Sequence, residues 1–142
     1  MIRLSPDQLA AVRRHGEGDY PYECCGLLIG ALGDASAKSI DEVYAISNAR
    51  EASAQRNRFL IAPEELLHAE RYARARQREI VGFYHSHPDC PAVPSQFDLE
   101  HAWPVYSYVI VSVRQGRAEE VLSWELLADR SRFEAEEILK GP

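Results

Sequence analysis

Residues 79–98 read EIVGFYHSHPDCPAVPSQFD, and the fold turns on how this stretch divides. Residues 79–84 (EIVGFY) form a short apolar run that reads as a strand and leads directly into His85-Ser86-His87. Strand side chains two apart share a face, so His85 and His87 present their imidazoles together while Ser86 points the other way. Pro88 has no N–H to offer a central ladder, so the chain leaves the sheet there. Pro91 and Pro94 stiffen the loop that follows. Ser95 sits where a helix can begin, and Asp98 falls in that helix's first turn. The loop can therefore return Asp98 to the two histidines.

The flanking segments fill in an alternating pattern. Ser5-Pro6-Asp7-Gln8 carries an N-cap, a proline at the first helical position and a reciprocal capping residue, with Leu4 and Leu9 placed as a hydrophobic staple. This predicts a helix that ends near His15, ahead of Gly16 and Gly18. Residues 24–29 (CCGLLI), closed by Gly30, read as a buried strand, residues 42–46 (EVYAI) as a second, and residues 58–61 as a short third. Pro63 opens a long helix with Glu64 and Glu65 in its first turn. Arg71, Arg74, Arg76 and Arg78 fall in its second half, an order that suits the helix dipole. These arginines read as a solvated helix end rather than a binding surface. Residues 106–113 (YSYVIVSV) predict a central strand, residues 121–127 one more strand, and residues 132–140 a final helix. The order α-β-β-β-α-β-α-β-β-α predicts a mixed sheet flanked by helices.

Composition narrows the function classes. A chain of 142 residues without visible repeat or low-complexity linker is expected to form one domain over residues 1–142. A hydrophobic share of 46% supplies an ordinary core. Sixteen Lys+Arg against 22 Asp+Glu give a formal net charge of -6, which argues against nucleic acid as a partner. The N-terminus lacks the apolar segment of a signal peptide, and no run reaches the length of a membrane span, so a cytoplasmic protein with no membrane partner is expected. Three cysteines do not make a disulfide framework in a chain of this size. The adjacent Cys24 and Cys25 read as small core residues, whereas Cys90 lies in the proline-rich loop.

Two histidines and a carboxylate leave one tetrahedral position open, which marks a catalytic rather than a structural zinc site. Cys90 could fill that position, but a fourth protein ligand would shut out water, so the expectation is that it lines the pocket. Metal-free readings exist for the same residues. Ser95-Gln96-Phe97-Asp98 also satisfies the N-cap pattern [ST]-x-x-[DE], and His85 and His87 could be polar residues at a strand end. Capping and coordination are compatible.

The spacing His-x-His-x7-Ser-x2-Asp, carried by His85, His87, Ser95 and Asp98, resembles the JAMM (MPN+) motif of zinc-dependent isopeptidases and peptidases. The likeness reaches upstream to Glu23 in residues 21–30 (PYECCGLLIG) and downstream through Trp103 and Tyr106 to Val113, most of the chain. Its short, uninserted form is similar to the prokaryotic branch, and within it to peptidases that trim ubiquitin-like sulfur-carrier proteins, such as the one that removes cysteine from its carrier's C-terminus. The resemblance implies an α/β fold, a three-layer α/β/α sandwich with a mixed curved sheet of the MPN or cytidine-deaminase-like kind. It also implies one zinc ion per chain held by His85, His87 and Asp98. Glu23 would be the general base and then acid, and Ser95 would donate to the tetrahedral oxyanion. Ser86, on the opposite face, reads as structural. The implied partner is a ubiquitin-like sulfur carrier ending in Gly-Gly, captured as an added strand along a sheet edge. Two other classes stand beside this one. A non-catalytic MPN-fold binding module is opposed by the intact ligand set and Glu23. A DNA-repair-associated domain with a related motif is opposed by the lack of a basic surface. The His-x-Glu and Pro-Cys-x-x-Cys signature of zinc deaminases is absent.

Overall fold

Ser5 begins the first helix, α1 (Pro6–Asp19), by reciprocal capping: its hydroxyl accepts the Gln8 N–H at 3.1 Å and its own N–H donates to Gln8 Oε1 at 2.9 Å. The helix does not stop near His15. A Cβ at Gly16 would lie 3.0 Å from Val113 and 3.3 Å from Val111, so glycine here lets α1 settle closely on the sheet and the helix continues past it. Tertiary packing overrides the breaker. The computed structural model describes residues 1–33, 37–50, 54–55 and 58–141.

The remaining elements in chain order are β1 (Ile2–Leu4, ahead of α1), β2 (Cys25–Leu32), β3 (Lys38–Ile46), α2 (Pro63–Ala75), β4 (Glu79–Pro88), α3 (Gln96–His101), β5 (Ser107–Arg114), β6 (Arg117–Leu126), β7 (Phe133–Glu136) and β8 (Ile138–Lys140). Among the described residues these strands form one mixed sheet in the order β7-β6-β5-β4-β2-β3-β1-β8. Strand β4 runs antiparallel to β2 and parallel to β5, and α3 lies in the crossover between β4 and β5.

Alternation on β2 shows how the layers are built. Leu28, with Cys24 just ahead of the strand, packs with Leu9 and Val12 of α1. Cys25 and Leu27 face the opposite way, into a cluster with Ala69 and Leu66 of α2. Leu99 of α3 joins Phe83 and Tyr108 on the α2 side. Helices therefore cover both faces, and β2 must be apolar on both. The expected three-layer α/β/α arrangement is the one observed.

Two further local expectations are corrected, and one strand has no counterpart in the sequence reading. Residues 58–61 are not a strand; they run as irregular chain, with Phe59 and Ile61 packed into the α2-side cluster. Strand β1 went unread because it is only three residues long. The final helix over residues 132–140 is replaced by β7 and β8. Glu, Ala, Leu and Lys favour a helix in isolation, but residues 133–136 pair antiparallel with β6 and residues 138–140 pair parallel with β1. Pairing at both edges of the sheet outweighs local propensity. Because Glu137 alone separates β7 from β8, the sheet must curl until its two outer strands meet.

Candidate metal centre

Strand β4 carries His85 and His87 to its C-terminal end on the α2 face. Ser86, on the other face, accepts the Cys24 N–H at 2.8 Å and donates its own N–H to the Cys24 carbonyl at 3.2 Å. Ser86 thus fastens β4 to the entry of β2, in keeping with its structural reading. Both histidines are buried, and the His85 ring stacks on Phe59 with centroids 4.7 Å apart. Pro88 is the last residue of β4, where ladder pairing on the β2 side has already ended at Cys25–His85.

The loop after Pro88 is held by successive carbonyls. The Asp89 N–H donates to Val113 O at 2.7 Å, Ser112 Oγ to Cys90 O at 2.6 Å, His87 Nδ1 to Pro91 O at 2.9 Å and Trp124 Nε1 to Ala92 O at 2.9 Å. A carbonyl only accepts, so His87 Nδ1 bears the proton and its Nε2 keeps a lone pair. The loop then delivers Ser95 as the N-cap of α3. Ser95 Oγ accepts the Asp98 N–H at 3.1 Å, and the Ser95 N–H donates to Asp98 Oδ2 at 2.9 Å. The capping reading is therefore satisfied in full, and it aims the Asp98 carboxyl rather than competing with it.

Three donor atoms converge. His85 Nε2 lies 3.1 Å from His87 Nε2 and 3.3 Å from Asp98 Oδ2, and His87 Nε2 lies 3.2 Å from the same oxygen. Ligands at ~2.0–2.1 Å around a tetrahedral metal stand about 3.3–3.4 Å apart, so this triangle has the size of one face of a zinc tetrahedron. Burial lowers the His85 pKa and keeps its imidazole neutral, with Asp98 opposing in part. Burial alone would raise Asp98, but the close imidazole edges of His85 and His87 and the hydrogen bond from the Ser95 N–H outweigh it and hold the carboxyl well below the usual range. Two imidazoles and one carboxylate form the donor set a divalent ion accepts.

Glu23 is 4% exposed. Its hydrogen bonds among the described residues use the backbone: its N–H donates to Gln55 O at 2.7 Å, and its carbonyl accepts from Asn48 Nδ2 at 3.0 Å. The carboxyl is left to a cleft that it lines with His87, Cys90, Val93 and Ser95. Burial pushes this carboxyl up to about 9, and the negative charge of Asp98 adds to the shift. Cys90 stands outside the donor cluster with an exposed thiol, so the structure does not bring it in as a fourth ligand. Cys24 and Cys25 are buried, and burial pushes both thiols up to about 12. A second cleft of about 300 Å³ opens on the other side of the cluster, past His85 and Asp98, with walls that include Phe59, Phe83, Phe97 and Trp103 and with Arg50 among its lining.

Asn48, Ser112 and Trp124 were not singled out in the sequence. Ser112 and Trp124 each act through one polar contact across a long sequence separation, and Asn48 joins Arg50, Arg58 and Leu60 to the distant Glu23, so neither arrangement leaves a local pattern to read.

Comparison with known proteins agrees with this geometry. Residues 5–127 match the family of prokaryotic homologs of the JAB domain. The chain is 37% identical over 105 residues to a desampylase of Haloferax volcanii, covering 73% of this chain and 72% of that one. It is 34% identical over 90 residues to a desampylase of Pyrococcus furiosus, covering 62% of this chain and 59% of that protein. A Desulfitobacterium hafniense structure superposes with a TM-score of 0.85 at 30% identity, covering 99% of this chain and 93% of the other. A JAB1/MPN domain protein from Archaeoglobus fulgidus shares the fold, with a TM-score of 0.59 at 15% identity over 100% of this chain and 98% of that one. With the matched span running from the cap of α1 past the whole donor cluster, the chain belongs to the prokaryotic JAB family and is an enzyme of the JAMM isopeptidase type.

Proposed function

We propose that this enzyme hydrolyses the peptide or isopeptide bond that follows the Gly-Gly C-terminus of a ubiquitin-like sulfur-carrier protein, with one zinc ion held by His85, His87 and Asp98. The observation that carries the reading is a donor triangle of 3.1–3.3 Å edges with the buried Glu23 carboxyl facing the adjoining cleft. The likeness to desampylases supports a ubiquitin-like partner. The ion would supply Lewis acidity toward a water molecule and the scissile carbonyl. Glu23 takes the proton of that water as general base and hands it to the departing amine as general acid. Its high intrinsic proton affinity suits the second half of that task, while a nearby dication lowers it for the first. Ser95 Oγ spends a lone pair on the Asp98 N–H, which leaves its own O–H to donate to the oxyanion of the tetrahedral intermediate.

The test is a sulfur carrier extended by one or more residues past Gly-Gly, followed by intact mass. Wild type loaded with zinc should release the extension, and Glu23→Gln should retain the metal and fail. Zinc-loaded wild type that leaves every such extension in place would remove the substrate class. Stoichiometric zinc persisting in a His87→Ala, Asp98→Ala double variant would remove the ligand set.

A further inference from the structure

Two cations flank the cluster, and among the described residues neither forms an ion pair. The guanidinium carbons of Arg50 and Arg58 lie 5.1 and 4.9 Å from the centroid of the Phe97 ring, and Phe97 immediately precedes Asp98 in α3. Among the described residues the ion pairs made by arginines belong to Arg78, Arg114 and Arg132. Arg50 Nε is buried and has no hydrogen-bond partner among those residues. Two like charges near one ring, one of them partly desolvated, raise the energy of the free protein unless an anion joins them.

The segment bearing these arginines is organised around a single side chain. Asn48 Oδ1 accepts the N–H groups of Arg50 and Leu60, each at 3.0 Å, and Asn48 Nδ2 donates to the carbonyls of Arg58 and Glu23, each at 3.0 Å. Gln55 Nε2 adds a bond to Arg50 O at 2.6 Å. The backbones of both arginines are thereby tied to each other and to Glu23. Guanidinium groups held on an aromatic face, one of them with its Nε unbonded among the described residues, are preorganised for a carboxylate, which they can take through paired hydrogen bonds.

We propose that Arg50 and Arg58 form a carboxylate-binding station that selects ubiquitin-like substrates with an acidic side chain in the segment ahead of Gly-Gly. This rests on the function proposed above. The side is assigned by proton transfer: Glu23 delivers its proton to the departing amine, so the departing residue leaves through the Glu23 cleft. The acyl-side segment then occupies the opposite cleft, whose apolar walls receive its non-polar side chains and whose lining includes Arg50.

The experiment uses zinc-loaded Glu23→Gln protein and fluorescein-labelled peptides ending in Gly-Gly plus one residue, read by anisotropy at two salt concentrations. One peptide carries Asp and Glu ahead of Gly-Gly, a second carries Asn and Gln there, and a third keeps the acids but has an amidated C-terminus. The acidic peptide should bind about tenfold or more tighter than its amide counterpart, the worth of one charge-assisted hydrogen bond, and should weaken with salt. Adding Arg50→Ala and Arg58→Ala should abolish that preference, and the two Lys replacements should restore part of it. Equal binding of acidic and amide peptides, binding of neither, or a preference that survives the double Ala variant would overturn the proposal. A large loss on C-terminal amidation would place the recognised carboxylate on the departing residue and overturn the side assignment. Acid-selective binding alongside intact extensions in the wild-type hydrolysis assay would leave the station standing and discard the substrate reading.

Discussion

Glu23 carries a carboxyl into a place where its charge is costly, and two predictions follow at the scale of that residue. Between about pH 4.5 and 9 the unfolded chain gives up the Glu23 proton while the folded metal-free chain keeps it. The unfolded state then binds fewer protons, so Glu23 makes the metal-free protein lose stability as pH rises through this window. Glu23→Gln removes that penalty. In chelator it should raise Tm more at pH 8 than at pH 5; equal shifts at the two pH values would show that Glu23 is not held protonated. In the zinc-loaded enzyme the same change should cut kcat about 10^2–10^4-fold with metal content preserved, and retention of activity within about tenfold would exclude it as the base. Cys90 is the contrasting residue. Its exposed thiol lies outside the donor triangle, so Cys90→Ser should bind zinc as wild type does and stay active. Sharply higher activity in that variant would mean the thiol closes the site.

At the scale of elements, the site depends on a loop that has no regular structure yet little freedom. The carbonyls of Cys90, Pro91 and Ala92 are taken in turn by Ser112 of β5, His87 of β4 and Trp124 of β6. Three strands thus set the path that brings Asp98 to the histidines. Trp124→Phe keeps an aromatic ring, though a smaller one, and removes the N–H donor, whose hydrogen bond is worth about 1 kcal/mol of stability. Because the contact lies one step behind the ligands, zinc affinity measured by chelator competition should fall about 10-fold to 100-fold, as for other outer-shell contacts. Unchanged affinity would show that the loop holds its shape without Trp124.

The whole molecule is a sheet curled far enough for its edges to meet, and a buried charge sits at the seam. Lys38 Nζ from β3 lies 2.8 Å from Ser107 Oγ of β5, 2.8 Å from Glu125 of β6 and 3.7 Å from Glu136 of β7. The Lys38 and Glu136 side chains are 8% and 1% exposed. Without Lys38, Glu136 still has the Met1 amine at 3.2 Å and Ser123 Oγ at 2.8 Å, so the loss falls on the Lys38 hydrogen bonds to Ser107 and Glu125. Lys38→Ala should lower stability by about 1.5–3 kcal/mol in denaturant unfolding, the worth of buried hydrogen bonds made by a charged group. A loss below about 1 kcal/mol would show that the seam holds without the Lys38 contacts.

Much of the site was legible in the chain because its determinants are local. Two histidines at strand spacing, a proline exit, a capping serine and an aspartate three residues on encode a shared face and a helix start with few long-range contacts. The capping boxes at Ser5 and Ser95 were legible for the same reason. Tertiary structure decided what depends on distant partners. Gly16 ends no helix because Val111 and Val113 receive it, and residues 133–140 abandon helix propensity because both outer strands of the sheet need mates. Glu23 becomes a buried, proton-retaining group because Asn48 and Gln55 bind its backbone and leave the carboxyl to the cleft. Backbone periodicity and capping are encoded within a few neighbouring residues, whereas burial and paired charges exist only once remote segments are brought together.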